Sequence, residues 1–445
     1  MTIDSIDAFQ IFDSRGNPTL EVAVRLADGT TGRGLVPSGA STGQFEALEL
    51  RDGDPARFRG KSVFKAADNV RREIAPALRG TDVRDQAALD HRMIELDGTP
   101  GKSRLGANAL LGVSMAIADA AARAQRLPLH RWLGGGAGRR LPLPEIQIIG
   151  GGAHAEWRTD IQDFLVIANG AASYEEALEM TFGVYHAAGD IMKRLGRRYG
   201  LADEGGYWPE FARNEEAFEI IIEAIQLAGY TPGRDLSLSL DIAASDLFDE
   251  RTGTYRLGLE KRTFAPEEWT AMLADWCRRY HVISIEDPAA DTDWDGWLRF
   301  RRQVGDGVQI IGDDLFTTNA ARIREGIARG AANSVLIKLN QIGTVTETIE
   351  AIRLTQSAGW LPVVSARSGE TEDAFISHLA VATNAGQLKV GSFARSERMA
   401  KWNEVLRIAR DLGDEVVFSG SWITDGLAAL QARPAAGGFS SYPRS

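Results

Sequence analysis

Residues 335–338 read Val335-Leu336-Ile337-Lys338, three branched aliphatic side chains followed by a cation. A run this short and this apolar reads as a buried strand, and the lysine marks the point where it leaves the core. Similar runs recur at 146–149, 236–240, 282–285, 308–311 and 361–364, with amphipathic stretches of helical period between them. Short buried strands alternating with helices predict a parallel sheet, and this many of them predict an α/β fold of the β/α-barrel type. Four of the runs end on an ionisable residue or lead straight to one: Asp241, Glu286, Asp313 and Lys338. In a barrel those strand ends face one mouth, where catalytic groups gather.

Working outward, 445 residues suffice for one large barrel and a smaller companion domain. At 44% hydrophobic and 25% charged, the chain is expected to be globular. Acidic residues outnumber basic ones 61 to 50, a net charge of −11, which argues against a nucleic-acid or anionic-membrane binder. A site for an anionic substrate must then build its own positive potential from metal ions or a few arginines. Cys277 is the only cysteine, so an intrachain disulfide is excluded and a reducing compartment is expected. The N-terminus has no basic-then-apolar leader, and no stretch approaches the roughly 20 apolar residues that span a bilayer. The expectation is a soluble cytoplasmic protein. An alternating run at 20–26 and an alanine-rich helix over 107–123 belong to the first third. The glycine-rich 134–138, followed by Leu141-Pro142-Leu143-Pro144, marks a domain boundary.

Asp241, Glu286 and Asp313 are three carboxylates from successive strand ends, a donor set suited to a hard divalent cation such as Mg²⁺. Taken singly, each carboxylate would serve equally as a helix cap; as a set they point to metal. Lys338 enters the mouth between apolar residues, where desolvation and metal charge lower a lysine pKa and make it a base. Lys389 lies in a segment of similar character, Gln387-Leu388-Lys389-Val390. Either lysine alone would read as a snorkelling surface residue. Glu204, in Asp203-Glu204-Gly205-Gly206, precedes a glycine pair, and a protonated carboxyl there suits donation to a leaving hydroxyl. Pro37-Ser38-Gly39-Ala40-Ser41-Thr42-Gly43 has the small residues of a mobile lid, or of a plain surface turn. Arg367 and Ser368 follow the 361–364 run and suit a phosphate.

These pieces together resemble the enolase family along nearly the whole chain. The matching stretches include Asp13-Ser14-Arg15-Gly16-Asn17-Pro18-Thr19, the lid loop, Glu46 through Asp54, Leu105-Gly106-Ala107-Asn108-Ala109, Asp203 through Tyr207, Ser284-Ile285-Glu286-Asp287, Lys338 through Gly343, and Val363 through Asp373. The resemblance implies an N-terminal α+β capping domain with the lid (1–138) and a modified eightfold β/α barrel (139–445). It implies that Asp241, Glu286 and Asp313 hold a tightly bound magnesium, and that Ser41 helps bind a second arriving with substrate. Lys338 would be the base next to the substrate carboxylate, Lys389 would steady the resulting dianion, and Glu204 would assist loss of the C3 hydroxyl. Arg367 and Ser368 would hold the phosphate, His154 and Asp163 would contact substrate, and the chain would pair as a homodimer.

The sequence departs from that family pattern near the pocket. Ala366 stands in place of a histidine, Asp163 of a glutamate and Gly150 of an asparagine, each smaller than the residue replaced. Glu156-Trp157-Arg158 adds an aromatic and a fixed positive charge after His154. A roomier and more basic pocket is expected, which favours an enlarged analogue. The enolase-type reaction that fits is 2-phosphonoformylglycerate losing water to give carboxyphosphonoenolpyruvate, a step of phosphinate natural-product biosynthesis, with Arg158 as a partner for the extra carboxylate. Ordinary conversion of 2-phospho-D-glycerate to phosphoenolpyruvate is the alternative, and a non-catalytic protein on the same scaffold is a third reading.

Overall fold

The structure, a computed structural model, describes residues 1–39 and 43–432. Ser41 of the lid therefore lies outside the described residues. Strands β1 (Ile3–Phe12), β2 (Pro18–Leu26) and β3 (Thr31–Leu35) form an antiparallel meander in that order. Its inner face packs on the helix Ala107–Ala124, most of whose residues are buried. Alanine and glycine at this contact let the backbones approach. A Cβ on Gly32 would stand 2.1 Å from Ala120 N, and one on Gly34 would stand 2.6 Å from Gly112 O. Neither position can take a larger residue without parting strand and helix.

The barrel is closed by eight strands: β4 (Leu143–Gly150), β5 (Asp163–Ile167), β8 (Ser237–Asp241), β12 (Val282–Glu286), β13 (Gln309–Gly312), β14 (Ser334–Ile337), β15 (Leu361–Ser365) and β16 (Gln387–Ser392). The intervening numbers belong to β6 (Arg198–Leu201) and β7 (Tyr207–Pro209), a hairpin beside β4, and to a small separate sheet of β9 (Phe248–Asp249), β10 (Thr254–Leu257) and β11 (Arg262–Phe264). Pairing of β16 with β4 closes the ring. All six runs expected as strands form barrel strands. The expected modified eightfold barrel is present, and its departure from a parallel sheet is β5, which runs antiparallel to both β4 and β8. The connection from β4 to β5 holds only the short helical turn Gly152–Ala155 and no outer helix.

Helices wrap the outside, with two in succession after β5, Tyr174–Arg194 and Glu215–Leu227. Ser173 caps the first by accepting the Glu176 N–H at 3.1 Å, and Thr344 caps Val345–Ser357 through the Glu347 N–H at 3.2 Å. Inside, the layer beneath the mouth is polar. Gln309 Nε2 donates to Gln387 Oε1 at 2.9 Å, and Gln387 Nε2 donates to Glu145 Oε2 at 2.7 Å. Barrel interiors are usually filled with branched aliphatics; here a satisfied hydrogen-bond chain carries a carboxyl group under the site.

The capping domain is docked on the mouth. Ser38 and Gly369 exchange backbone hydrogen bonds at 2.8 and 2.9 Å, and the Ala47 N–H donates to Gln341 O at 2.8 Å. Lys102, buried, pairs with Glu347 at 3.0 Å. No helix among the described residues is long and apolar enough to cross a membrane.

Candidate active site

Strand geometry delivers the charged groups. Asp241 and Glu286 are the last residues of β8 and β12, in register with each other; Asp313 and Lys338 directly follow β13 and β14. Lys389 lies in β16, while Arg367 and Ser368 follow β15. Asp163 begins β5 and is paired with Asp241, so the reversed strand presents its first residue to the mouth rather than its last. His154 comes from the short helical turn Gly152–Ala155, and Glu204 from the turn between β6 and β7. One cavity takes in His154, Asp163, Glu204, Asp241, Asp313, Lys338, Ala366, Arg367, Ser368 and Lys389. Ten residues that the sequence singled out thus converge on one space.

Lys389 is the electrostatic centre. Its ammonium lies 2.9 Å from Asp241 Oδ2, 2.7 Å from Glu286 Oε2 and 3.6 Å from Asp163 Oδ2. Burial alone would discharge it, but the surrounding carboxylates, Asp241 first, hold its pKa well above the ordinary lysine value. For Asp241, burial pushes upward, yet the Lys389 ammonium and hydrogen bonds bring it down to about 2. Glu286 sits behind Lys389. Burial, and then the Asp241 charge, raise it well above the carboxyl range. Asp314 beside it is lifted by burial and by Asp313 to about 8.

Lys338 Nζ donates to Asp313 Oδ2, and Gln341 Nε2 donates to Asp313 Oδ1 at 2.8 Å. The expected depression of Lys338 by burial and metal charge is opposed, in the protein alone, by its carboxylate partner. Burial does push Lys338 downward, but Asp313 outweighs it and raises the pKa. The Arg367 guanidinium pairs with Glu46 Oε2 at 3.0 Å and donates to Asn340 Oδ1 at 3.2 Å. His154 Nδ1 lies 3.8 Å from Asp163 Oδ1; burial opposes its charge, and Asp163 with Glu204 raises its pKa. Burial, then Asp163, raises Glu204.

The donor set suits a hard divalent cation. Asp241, Glu286 and Asp313 offer carboxylate oxygens only, and Glu286 Oε1 is buried with no hydrogen-bond partner. One ligand atom each from Asp287, Asp313 and Asp314 lies within 4.8 Å of the others, and the same holds for His154, Asp163 and Glu204. Asp287 accepts the N–H groups of Asp313 and Asp314 at 2.9 Å each and so shapes the β13 end. Asp313 and Asp314 line the cavity, and Asp287 does not.

Two expectations about the walls change. Arg158 does not line the cavity: its guanidinium lies over Tyr199 at 5.1 Å and Trp208 at 5.4 Å, and 3.6 Å from Glu210. The aromatic faces and the carboxylate of the β6–β7 hairpin out-compete the pocket for the charge. Gly150 does not open space either. A Cβ there would stand 2.5 Å from Ala202 Cβ and 3.3 Å from Gln147 Nε2, so neighbours already fill the volume. Ala366 and Asp163, the other two smaller residues, are both buried and line the cavity. Sequence reasoning missed Glu46, Asp314 and Gln162, whose Nε2 donates to Asp241 Oδ2 at 3.0 Å. Glu46 was visible only as part of a matching stretch.

With this geometry in hand, comparison with known proteins is decisive. Residues 3–133 match the model for the enolase N-terminal domain, and residues 139–425 match that for the enolase C-terminal TIM barrel domain. The chain belongs to the enolase family. It is also 59% identical over 417 residues to Enolase 1 of Desulfitobacterium hafniense (strain Y51), covering 94% of this chain and 95% of that protein. As a member of that family it is a carbon–oxygen hydro-lyase. The family implies magnesium and a small phosphorylated substrate, in keeping with the acidic cluster and with Arg367 at the mouth.

Proposed function

We propose that the protein converts 2-phospho-D-glycerate to phosphoenolpyruvate and water. The observation that carries this reading is the convergence of Lys338, Lys389, Glu204 and Arg367 on one buried cavity. The 59% identity to a protein named Enolase 1 supports the ordinary reaction over the specialised one. So does the filling of the Gly150 space by Ala202 and Gln147, which removes part of the reason to expect an enlarged substrate.

In this reading Arg367 and Ser368 bind the phosphate, exchanging the Glu46 contact for a phosphate contact of matching bidentate geometry. Lys338 Nζ takes the proton from C2. Glu204, whose pKa burial and then Asp163 raise, gives a proton to the C3 hydroxyl as the C3–O bond breaks and the C2–C3 double bond forms. Lys389 offsets charge on the substrate carboxylate. Magnesium held by Asp241, Glu286 and Asp313 would supply further positive charge there and draw off the Asp313 charge that keeps Lys338 protonated. A second magnesium arriving with substrate, with Ser41 among its ligands, and a homodimeric assembly belong to the same proposal.

Ala366 favours a second reading, the dehydration of 2-phosphonoformylglycerate. The test is a side-by-side assay with Mg²⁺, following ultraviolet absorbance from 2-phosphoglycerate and phosphorus NMR from the analogue. Fast turnover of 2-phosphoglycerate is expected. Feeble turnover there, with clear conversion of the analogue, would replace the first reading by the second.

A further inference from the structure

Gln147 on β4 has no part in the chemistry above, yet it is fully buried and both ends of its amide are committed. Its Nε2 donates to Asp163 Oδ1, and its Oε1 accepts the Gly206 N–H at 2.8 Å. An amide has a donor end and an acceptor end, so this side chain can face only one way. The carboxylate of Asp163 must lie on one side and the backbone of the turn that carries Glu204 on the other. That turn is closed on itself by the Ala202 N–H donating to Gly206 O at 2.8 Å, so Glu204 moves with Gly206. The fit leaves no slack, since a Cβ on Gly206 would stand 2.4 Å from Gln147 Oε1. Asp163 is meanwhile held from its other side, with Oδ2 3.6 Å from Lys389 Nζ.

We propose that Gln147 is a positioning residue that sets the separation between the Asp163 carboxylate and the Glu204 turn, and that the side-chain lengths at 147 and 163 are matched as a pair. Antiparallel pairing of β4 with β5 fixes the backbones, so the reach from residue 147 to residue 163 is shared between two side chains. Shortening one by a methylene opens the bridge, and lengthening the other by a methylene closes it. The proposal rests on the hydro-lyase reading for its effect on rate.

The test is a cycle of Gln147→Asn, Asp163→Glu and the double variant Q147N/D163E. Each single change is expected to lower kcat by about 10–100-fold, with KM moving less than about threefold. The double variant should return to within about fivefold of the parent, because the summed length is restored. Amide hydrogen exchange at Gly206 supplies a readout that needs no substrate: slow in the parent and fast in Q147N, where the shortened side chain no longer reaches the Gly206 N–H. A double variant no better than the poorer single one overturns the matched-length proposal. Unchanged Gly206 exchange in Q147N overturns the bridge itself. If the parent turns over neither 2-phosphoglycerate nor its phosphonoformyl analogue, the functional reading fails, and Gly206 exchange alone decides whether the bridge stands.

Discussion

On one wall of the cavity, Asp241, Asp313 and Lys338 leave the ends of parallel strands, with Glu286 held against Lys389 beside them; on the other, His154, Asp163 and Glu204 come from a turn, the start of a reversed strand and a hairpin. The first wall is set by backbone register, so each charged group follows from where its strand stops. The second is set by side chains reaching across loops, with Gln147 spanning Asp163 and Gly206. Changes on the first wall remove a charge that nothing nearby replaces. Changes on the second can be offset by a neighbour, which is why residues that look like losses from the family pattern, such as Gly150, are already accommodated.

The contrast can be broken most directly at the strand-end wall. Lys338→Ala is expected to lower kcat by about 10³–10⁴-fold in a Mg²⁺-supported turnover assay. Stripping divalent ions with a chelator should take the parent to background, with Mg²⁺ restoring it, because three buried carboxylates lose their countercharge. A chelated enzyme at full rate would remove the metal from this wall.

Glu204→Gln tests the second wall, with a fall of about 10²–10³-fold in kcat while exchange of the C2 proton with solvent persists. The same variant has a pH signature in stability. Glu204 has a raised pKa in the folded protein, through burial and then Asp163, so the folded state holds that proton more tightly than the unfolded chain. Its stabilising contribution is complete below the ordinary value of 4.5 and is lost as pH rises through the raised value. Glutamine removes that loss. Glu204→Gln should therefore melt higher than the parent at neutral pH, with the difference closing near about pH 4. Equal melting curves at neutral pH would contradict the buried acid.

The smallest effect is expected at Ala366. Ala366→His should change turnover of 2-phosphoglycerate by less than about tenfold while lowering the relative rate with 2-phosphonoformylglycerate. An unchanged ratio between the two substrates would mean that Ala366 does not read substrate size.

Most of the strand-end wall was legible in the sequence, because an apolar run that stops at a charged residue encodes both a strand and its exit. Six barrel strands followed from apolar runs, four of them stopping at such a residue. β5 escaped because Asp163–Ile167 lies only a short loop after β4, without the helix that announces a parallel strand. The roles of Glu46 and Gln147 were illegible for another reason. Each acts through a partner distant in the chain, Arg367 and Asp163 respectively, and no local spacing marks such pairs. Arg158 shows the converse. Its charge was plain in the sequence, but the aromatic hairpin that captures it was not read as a competitor.

The reversed direction of β5 has a consequence for how this scaffold can change. In the parallel part of the ring, each strand end at the mouth is followed by a helix packed on the outside, so an insertion there must be absorbed by the outer layer. Between β4 and β5 both strand termini and the whole connecting segment 151–162 stay on the mouth side, with no outer helix to displace. Asp160 ties the segment to Asn214 at the start of the helix Glu215–Leu227, so the freedom to rewrite lies at the exposed residues 156–157 rather than along its whole length. They are the part of the molecule where new substrate preference can be acquired by editing one stretch of chain.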